Sequence, residues 1–254
     1  MSREESRALG VALGLLTRIP VRLRGEINAA TLGRSLHWYP MAGLAIALPL
    51  MLLASLLPAA DLLAAVLITA VWVAITGALH LDGLADCADA WIGGMGDRER
   101  TLAIMKDPAC GPMGVTAIAL VLLLKVAALA TLLAYPAAIP WWLIPVVART
   151  VLPLVFISLP YVRQGGMGDG LASNASKPGL ALAVMLVLAV LALWLPLQFL
   201  CLWLVVAVAV FALWRHAVVK RLGGFTGDCA GALVELLEVA LLVASALLVK
   251  ALLQ

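Results

Sequence analysis

Long apolar runs broken by short polar segments set the layout of this chain. Met41–Pro58, Asp61–His80, Pro112–Tyr135, Trp141–Pro160, Gly179–Leu195, Leu197–Trp214 and Gly231–Leu253 are each apolar and long enough to predict a membrane-crossing helix. The apolar piece Ala8–Leu16 is too short to cross and predicts an interfacial or re-entrant helix. The pattern predicts an all-α polytopic protein with about seven transmembrane helices, folded as one integral-membrane domain over residues 1–254. The polar stretches are 1–40, 81–111, 161–178 and 215–230.

Composition supports this. The chain is 65% hydrophobic and 12% charged, where a soluble domain has about 25% charged residues. Lys and Arg counts in successive connections run 6, 0, 3, 0, 2, 0, 3. The positive-inside rule then predicts that the N-terminus and all three large polar segments are cytoplasmic. A net charge of +3 with no dense basic and aromatic patch excludes a nucleic-acid partner. Cys87, Cys110, Cys201 and Cys229 form no CxxC pair and read as free thiols.

Candidate chemistry clusters in the polar segments. Asp82, Asp86 and Asp89 fall within about 60° of arc on a helix, and their mutual repulsion predicts a bound cation, Mg²⁺ if phosphates are present. Asp228, Gly231, Glu235 and Glu238 share another helical face, with the two glutamates one to three turns into an apolar span. Those glutamates must be protonated, paired with Lys125 or Arg149, or metal-bound. Facing the triplet, this helix would complete an acidic pocket with Asp82, Asp86, Asp89, Asp228 and Glu235 as metal ligands. His80 lies about 160° from Asp82, so a ligand role needs a local helix break, which Gly83 could supply.

Around these lie Gly93, Gly94 and Gly96, which permit tight turns and close backbone approach to a ligand. Asp97 suits a helix N-cap, and Asp107 before Pro108 suits a turn. Lys106 could neutralise a phosphate oxygen, although alone it reads as an ordinary juxtamembrane lysine. The loop Gly165–Gly170 with Ser173–Lys177 offers backbone N–H groups and Lys177 to an anion, or is simply flexible. Arg18, in Thr17-Arg18-Ile19-Pro20, is equally open, and His37 and His216 have no evident partner.

Thr17–Pro20, His80–Asp89, Ile104–Asp107 with Gly111 and Gly114, and Gly223–Gly224 with Thr226–Asp228, Gly231 and Glu235 together resemble the cobalamin synthase family of adenosylcobinamide-GDP ribazoletransferases. One departure is Pro108, where a small polar residue is expected. The resemblance implies an Mg²⁺-dependent transferase of the bacterial cytoplasmic membrane that joins adenosylcobinamide-GDP to α-ribazole or its 5′-phosphate. A ribose hydroxyl attacks the phosphate on the corrinoid arm and GMP leaves. Arg18, Lys106, Gly93, Gly94, Gly111, Thr226 and Lys177 would contact substrate. Lys106, Asp86 and Asp89 would act in catalysis, with Asp89 favoured to take the hydroxyl proton. The bilayer is the other implied partner, and self-association is left open.

Two alternatives compete. A CDP-alcohol phosphatidyltransferase also uses Asp repeats with Mg²⁺, but Asp86-Cys87 stands where that family carries Ala-Arg. A cation transporter predicts carboxylates spread along a path through the bilayer, whereas the Asp triplet marks one surface.

Overall fold

A computed structural model describes residues 2–23, 27–57, 61–135, 139–163 and 167–252. The described residues form helices α1 (Arg3–Leu16), α2 (Ala29–Ser35), α3 (Tyr39–Leu56), α4 (Leu62–Thr76), α5 (Leu79–Gly93) and α6 (Arg98–Ile104). These continue with α7 (Pro112–Leu133), α8 (Ile144–Ser158), α9 (Met167–Ser173), α10 (Lys177–Trp194), α11 (Leu197–Leu222) and α12 (Gly227–Leu252). The protein is all-α, with a single β-bridge between Tyr161 and Phe225 among the described residues.

Six helical stretches are long and apolar enough to cross a membrane, and the bent pair α4–α5 makes a seventh if taken as one span. Several sequence boundaries move. The first span starts earlier, because α2 runs through a 3₁₀ turn at Leu36–Trp38 straight into α3. Residues 29–40 therefore belong to that helix rather than to a separate polar segment. The second span ends at Thr76, not His80, and α5 leaves it at 89°. Segment 81–111 is mostly helix, and 215–222 is the basic end of α11, so the last loop shrinks to 223–226. Segment 161–178 encloses α9, and its Gly165-Gly166 pair lies outside the described residues.

The bend at the end of α4 positions everything that follows. Gly77 (φ +63°) and Ala78 (φ +57°) are both left-handed, a conformation that costs alanine roughly 1–2 kcal/mol. The Arg18 N–H donates to Ile75 O at 2.7 Å. The Arg18 side chain crosses Gly77 so closely that a Cβ there would sit 2.3 Å from its Nε. Thr17–Pro20 thus docks on the bend, and only glycine at 77 leaves it room.

α12 is the central helix, packed against α5, α7, α8 and α11. Leu233, Val234, Leu237, Leu241 and Leu242 are fully buried along it. Trp203 Nε1 donates to Ser245 Oγ at 2.8 Å, and Trp214 Nε1 donates to Cys229 O at 2.9 Å. These two bonds tie α11 to α12 at both ends of the contact. In contrast, α10 shows most of its surface outward, as a lipid-facing helix does.

Candidate active site

α5 carries Asp82, Asp86 and Asp89 on one unbroken helix, so Gly83 introduces no break. Its role is close approach: a Cβ at Gly83 would lie 2.7 Å from Asp228 O. That contact brings the first turn of α12 onto α5 and places Asp228 beside the triplet. A Cβ at Gly231 would likewise meet the His80 backbone at 3.3 Å. α5 has turned out of the α4 span here, and burial pushes the Asp86 carboxyl up to about 6. Asp82, Asp228 and Asp89 add to that rise, and Arg163 opposes it.

Asp89 has a different task. Its Oδ2 accepts from Gly111 N at 2.7 Å, and its Oδ1 from Met113 N at 3.1 Å and Gly114 N at 3.0 Å. The carboxylate thus satisfies the orphan N–H groups at the start of α7 and sits at the positive end of that helix. A Cβ at Gly111 or Gly114 would come within 2.5 Å of its oxygens. Asp89 and Gly111 are therefore partners in a helix cap, a structural task beside the proton transfer and substrate contact expected of them.

Asp228 Oδ2 receives Arg163 Nη1 at 3.2 Å and the Thr226 hydroxyl at 3.4 Å. Thr226 is almost fully buried, and its Oγ accepts from Cys229 N at 3.3 Å. It caps α12, with little surface left for a ligand. The loop before it is held by Phe225 N donating to Pro160 O at 3.1 Å and Val162 N donating to Phe225 O at 3.0 Å. Gly224 is required there, since a Cβ would lie 2.2 Å from Pro160 O.

Two cavities meet at this point. One, of about 550 Å³, is lined by Asp82, His80, Tyr161, Arg163, Asp228 and apolar groups including Leu16 and Phe156. The other, of about 490 Å³, is lined by Arg98, Lys106, Arg163, Thr226 and Asp228 with Met105 and Val162. Arg163 and Asp228 belong to both. A larger groove of about 690 Å³ along α8, α10 and α11 is mostly apolar and shares no lining residue with these two cavities. The two smaller cavities gather the charged groups.

Arg98 and Arg163, neither marked out by any motif, also line these cavities. Arg98 follows the Asp97 cap, whose Oδ1 accepts from Arg100 N at 2.7 Å, and its Nε donates to Leu222 O at 2.8 Å. Arg163 was visible only as a basic residue in a glycine-containing segment. Lys106 does reach the basic cavity.

Other expected contacts lie elsewhere. Gly93 and Gly94 let α6 fold onto α5, since Cβ atoms there would meet Ile104 Cδ1 at 2.8 Å and Thr101 Oγ1 at 2.2 Å. Arg18 lies over the bend, and Lys177 is exposed at the start of α10; neither lines the two cavities. The neighbouring Asn174 packs on Gly33 of α2, and Ser176 O takes His37 Nε2 at 3.2 Å.

Glu235, expected as a metal ligand, sits in an ion-pair network. It and Glu238 are buried inside the bundle, where Lys125 Nζ lies 2.7 Å from Glu235 Oε2 and 2.6 Å from Glu238 Oε2. Arg149 pairs with the other oxygen of Glu238. Two cations on α7 and α8 thus neutralise two glutamates on α12, the pairing that Lys125 and Arg149 made available. Glu235 does not line the cavity that Asp82 and Asp228 share.

Among the described residues no three acidic, His or Cys side chains close on one point. The donors still fit Mg²⁺, an oxygen-seeking ion that commonly takes one or two carboxylates and completes its shell with water and substrate phosphate. The Asp82 carboxylate makes no hydrogen bond among the described residues, and Asp228 keeps Oδ1 free. Asp82, Asp89 and Asp228 lie close enough to Asp86 to repel it, and a cation among them would offset that repulsion.

A family profile described as cobalamin-5-phosphate synthase matches residues 8–246. Curated relatives named adenosylcobinamide-GDP ribazoletransferase include one from Pseudomonas aeruginosa PAO1, 51% identical over 96% of this chain and all of its own length. One from Pseudomonas paraeruginosa PA7 is 50% identical over 96% of this chain and all of its own. Another, from Ectopseudomonas mendocina ymp, is 48% identical over 93% of this chain and 97% of its own. No solved structure matches significantly.

Proposed function

The chain belongs to the cobalamin-5-phosphate synthase family, and we propose that it joins adenosylcobinamide-GDP to α-ribazole or α-ribazole 5′-phosphate, releasing GMP. The observation that carries this reading is the junction of an acidic and a basic cavity at Arg163 and Asp228. A pyrophosphate lying across that junction would meet cations on one side and carboxylates on the other. Its GMP end gains charge as it leaves, so fixed positive groups favour departure.

Arg98, Lys106 and Arg163 hold the phosphate oxygens. Leu16, Leu152 and Phe156 of the first cavity offer an apolar wall to the flat base of the nucleoside. Its ribose hydroxyl is thereby held near the corrinoid-side phosphorus, which supplies much of the rate by positioning alone. The hydroxyl oxygen bonds to that phosphorus, the bond to the GMP oxygen breaks, and GMP carries the electron pair away. Of the carboxylates expected to take the hydroxyl proton, Asp89 is spent on α7, which leaves Asp86. Asp82 and Asp228 would hold Mg²⁺, which when bound neutralises charge on the pyrophosphate.

We place the protein in the bacterial cytoplasmic membrane, with the N-terminus and the site in the cytoplasm. The basic connections support this, as does the collection of Asp82, Lys106, Arg163 and Asp228 at one end of the bundle. Purified protein in nanodiscs, given Mg²⁺ and both substrates, should form GMP and the corrinoid product in equal amounts. Metal uptake into proteoliposomes without GMP release would favour the transporter instead.

A further inference from the structure

His80 has no task in that scheme, yet it joins the buried ion-pair network to the substrate cavity. We infer that His80 is a substrate-contacting hydrogen-bond donor, fixed as the neutral Nε2–H tautomer by Arg149 and aimed at a phosphate-ester oxygen in the Asp82–Asp228 cavity. This rests on the transferase reading above.

Behind the ring, Lys125 bridges Glu235 and Glu238, and Glu238 holds Arg149. Arg149 Nη2 lies 3.3 Å from His80 Nδ1. A guanidinium has only donors, so Nδ1 must accept, and a neutral ring then carries its proton on Nε2. An imidazolium would turn an N–H against the guanidinium. Nε2 makes no hydrogen bond among the described residues, and it is not among the buried polar atoms lacking a partner. It is therefore open, and the cavity His80 lines wraps the first turn of α5 to reach both His80 and Asp82. A nitrogen bearing a proton offers no lone pair to a metal, so His80 is no Mg²⁺ ligand. It is equally unfit as a base. What remains is donation to an oxygen.

The tautomer is read by ¹⁵N NMR of histidine-labelled protein in nanodiscs, with the His80 signals assigned from a His80→Gln sample. A neutral ring protonated at Nε2 is expected, and a ring protonated at Nδ1, or at both nitrogens near pH 7, overturns the inference. For the contact, glutamine places its amide N–H near the position of Nε2, and asparagine places one near Nδ1. His80→Gln should keep kcat within about tenfold, and His80→Asn should lose about a hundredfold, the scale of one preorganised donor. Equal activity of the two variants, with matching melting temperatures, sinks the contact. Absence of GMP release by the unsubstituted protein would instead defeat the transferase reading, while the tautomer result stands or falls alone.

Discussion

At the scale of single residues, the acidic side chains divide by the environment that receives them. Asp82 and Asp228 line a cavity, Asp89 caps a helix, and Glu235 and Glu238 balance cations inside the bundle. The triplet's helical face and the depth of the two glutamates were legible from spacing. The Asp89 cap was not, because its N–H donors lie 22 to 25 positions away in sequence. Nor could spacing choose among protonation, pairing and metal binding for Glu235; that depended on how α7 and α8 sit against α12. Breaking a buried ion pair by removing one partner costs about 3–5 kcal/mol. Glu238→Ala should therefore lower stability by about that amount by stranding Arg149, seen as a lower melting temperature in nanodiscs. An unchanged melting temperature would mean that Arg149 finds another partner.

At the scale of elements, close backbone contacts hold the site together. Gly83 admits α12 to α5, Gly224 admits the α11–α12 loop to Pro160, and Gly111 with Gly114 admits Asp89 to α7. Apolar runs revealed the spanning helices because lipid demands continuous hydrophobicity. The bend before α5 escaped notice because Ala78 carries no sequence mark of a left-handed residue. The charges at the basic end of α11 stop the apolar pattern before the helix stops, since nothing there breaks it before Gly223. Gly111→Ala should crowd Asp89 and cost about 1 kcal/mol, the worth of a helix cap. Faster hydrogen exchange at Met113 and Gly114 would report it; unaltered exchange would show that Asp89 moves aside without loss.

At the scale of the whole molecule, the bundle presents one chemically equipped end. α7 and α12 begin there and α8 and α11 finish there, so Arg163 and Asp228 reach both cavities and Lys106 reaches the basic one, from three different parts of the chain. The ion-pair network lies deeper and ties α7, α8 and α12 into one frame behind α5. The central claim is that the metal-holding carboxylates are Asp82 and Asp228, and that Glu235 belongs to the frame. Its most direct test is the Mg²⁺ dependence of GMP release, measured side by side for the unsubstituted protein, Asp82→Asn, Asp228→Asn and Glu235→Gln. Both aspartate variants should lose at least about a hundredfold in rate, as removal of a transition-state charge partner does, while Glu235→Gln keeps the original half-saturating Mg²⁺ concentration. Near-normal turnover in Asp82→Asn, or a Mg²⁺ requirement in Glu235→Gln shifted as far as in Asp228→Asn, would contradict the account.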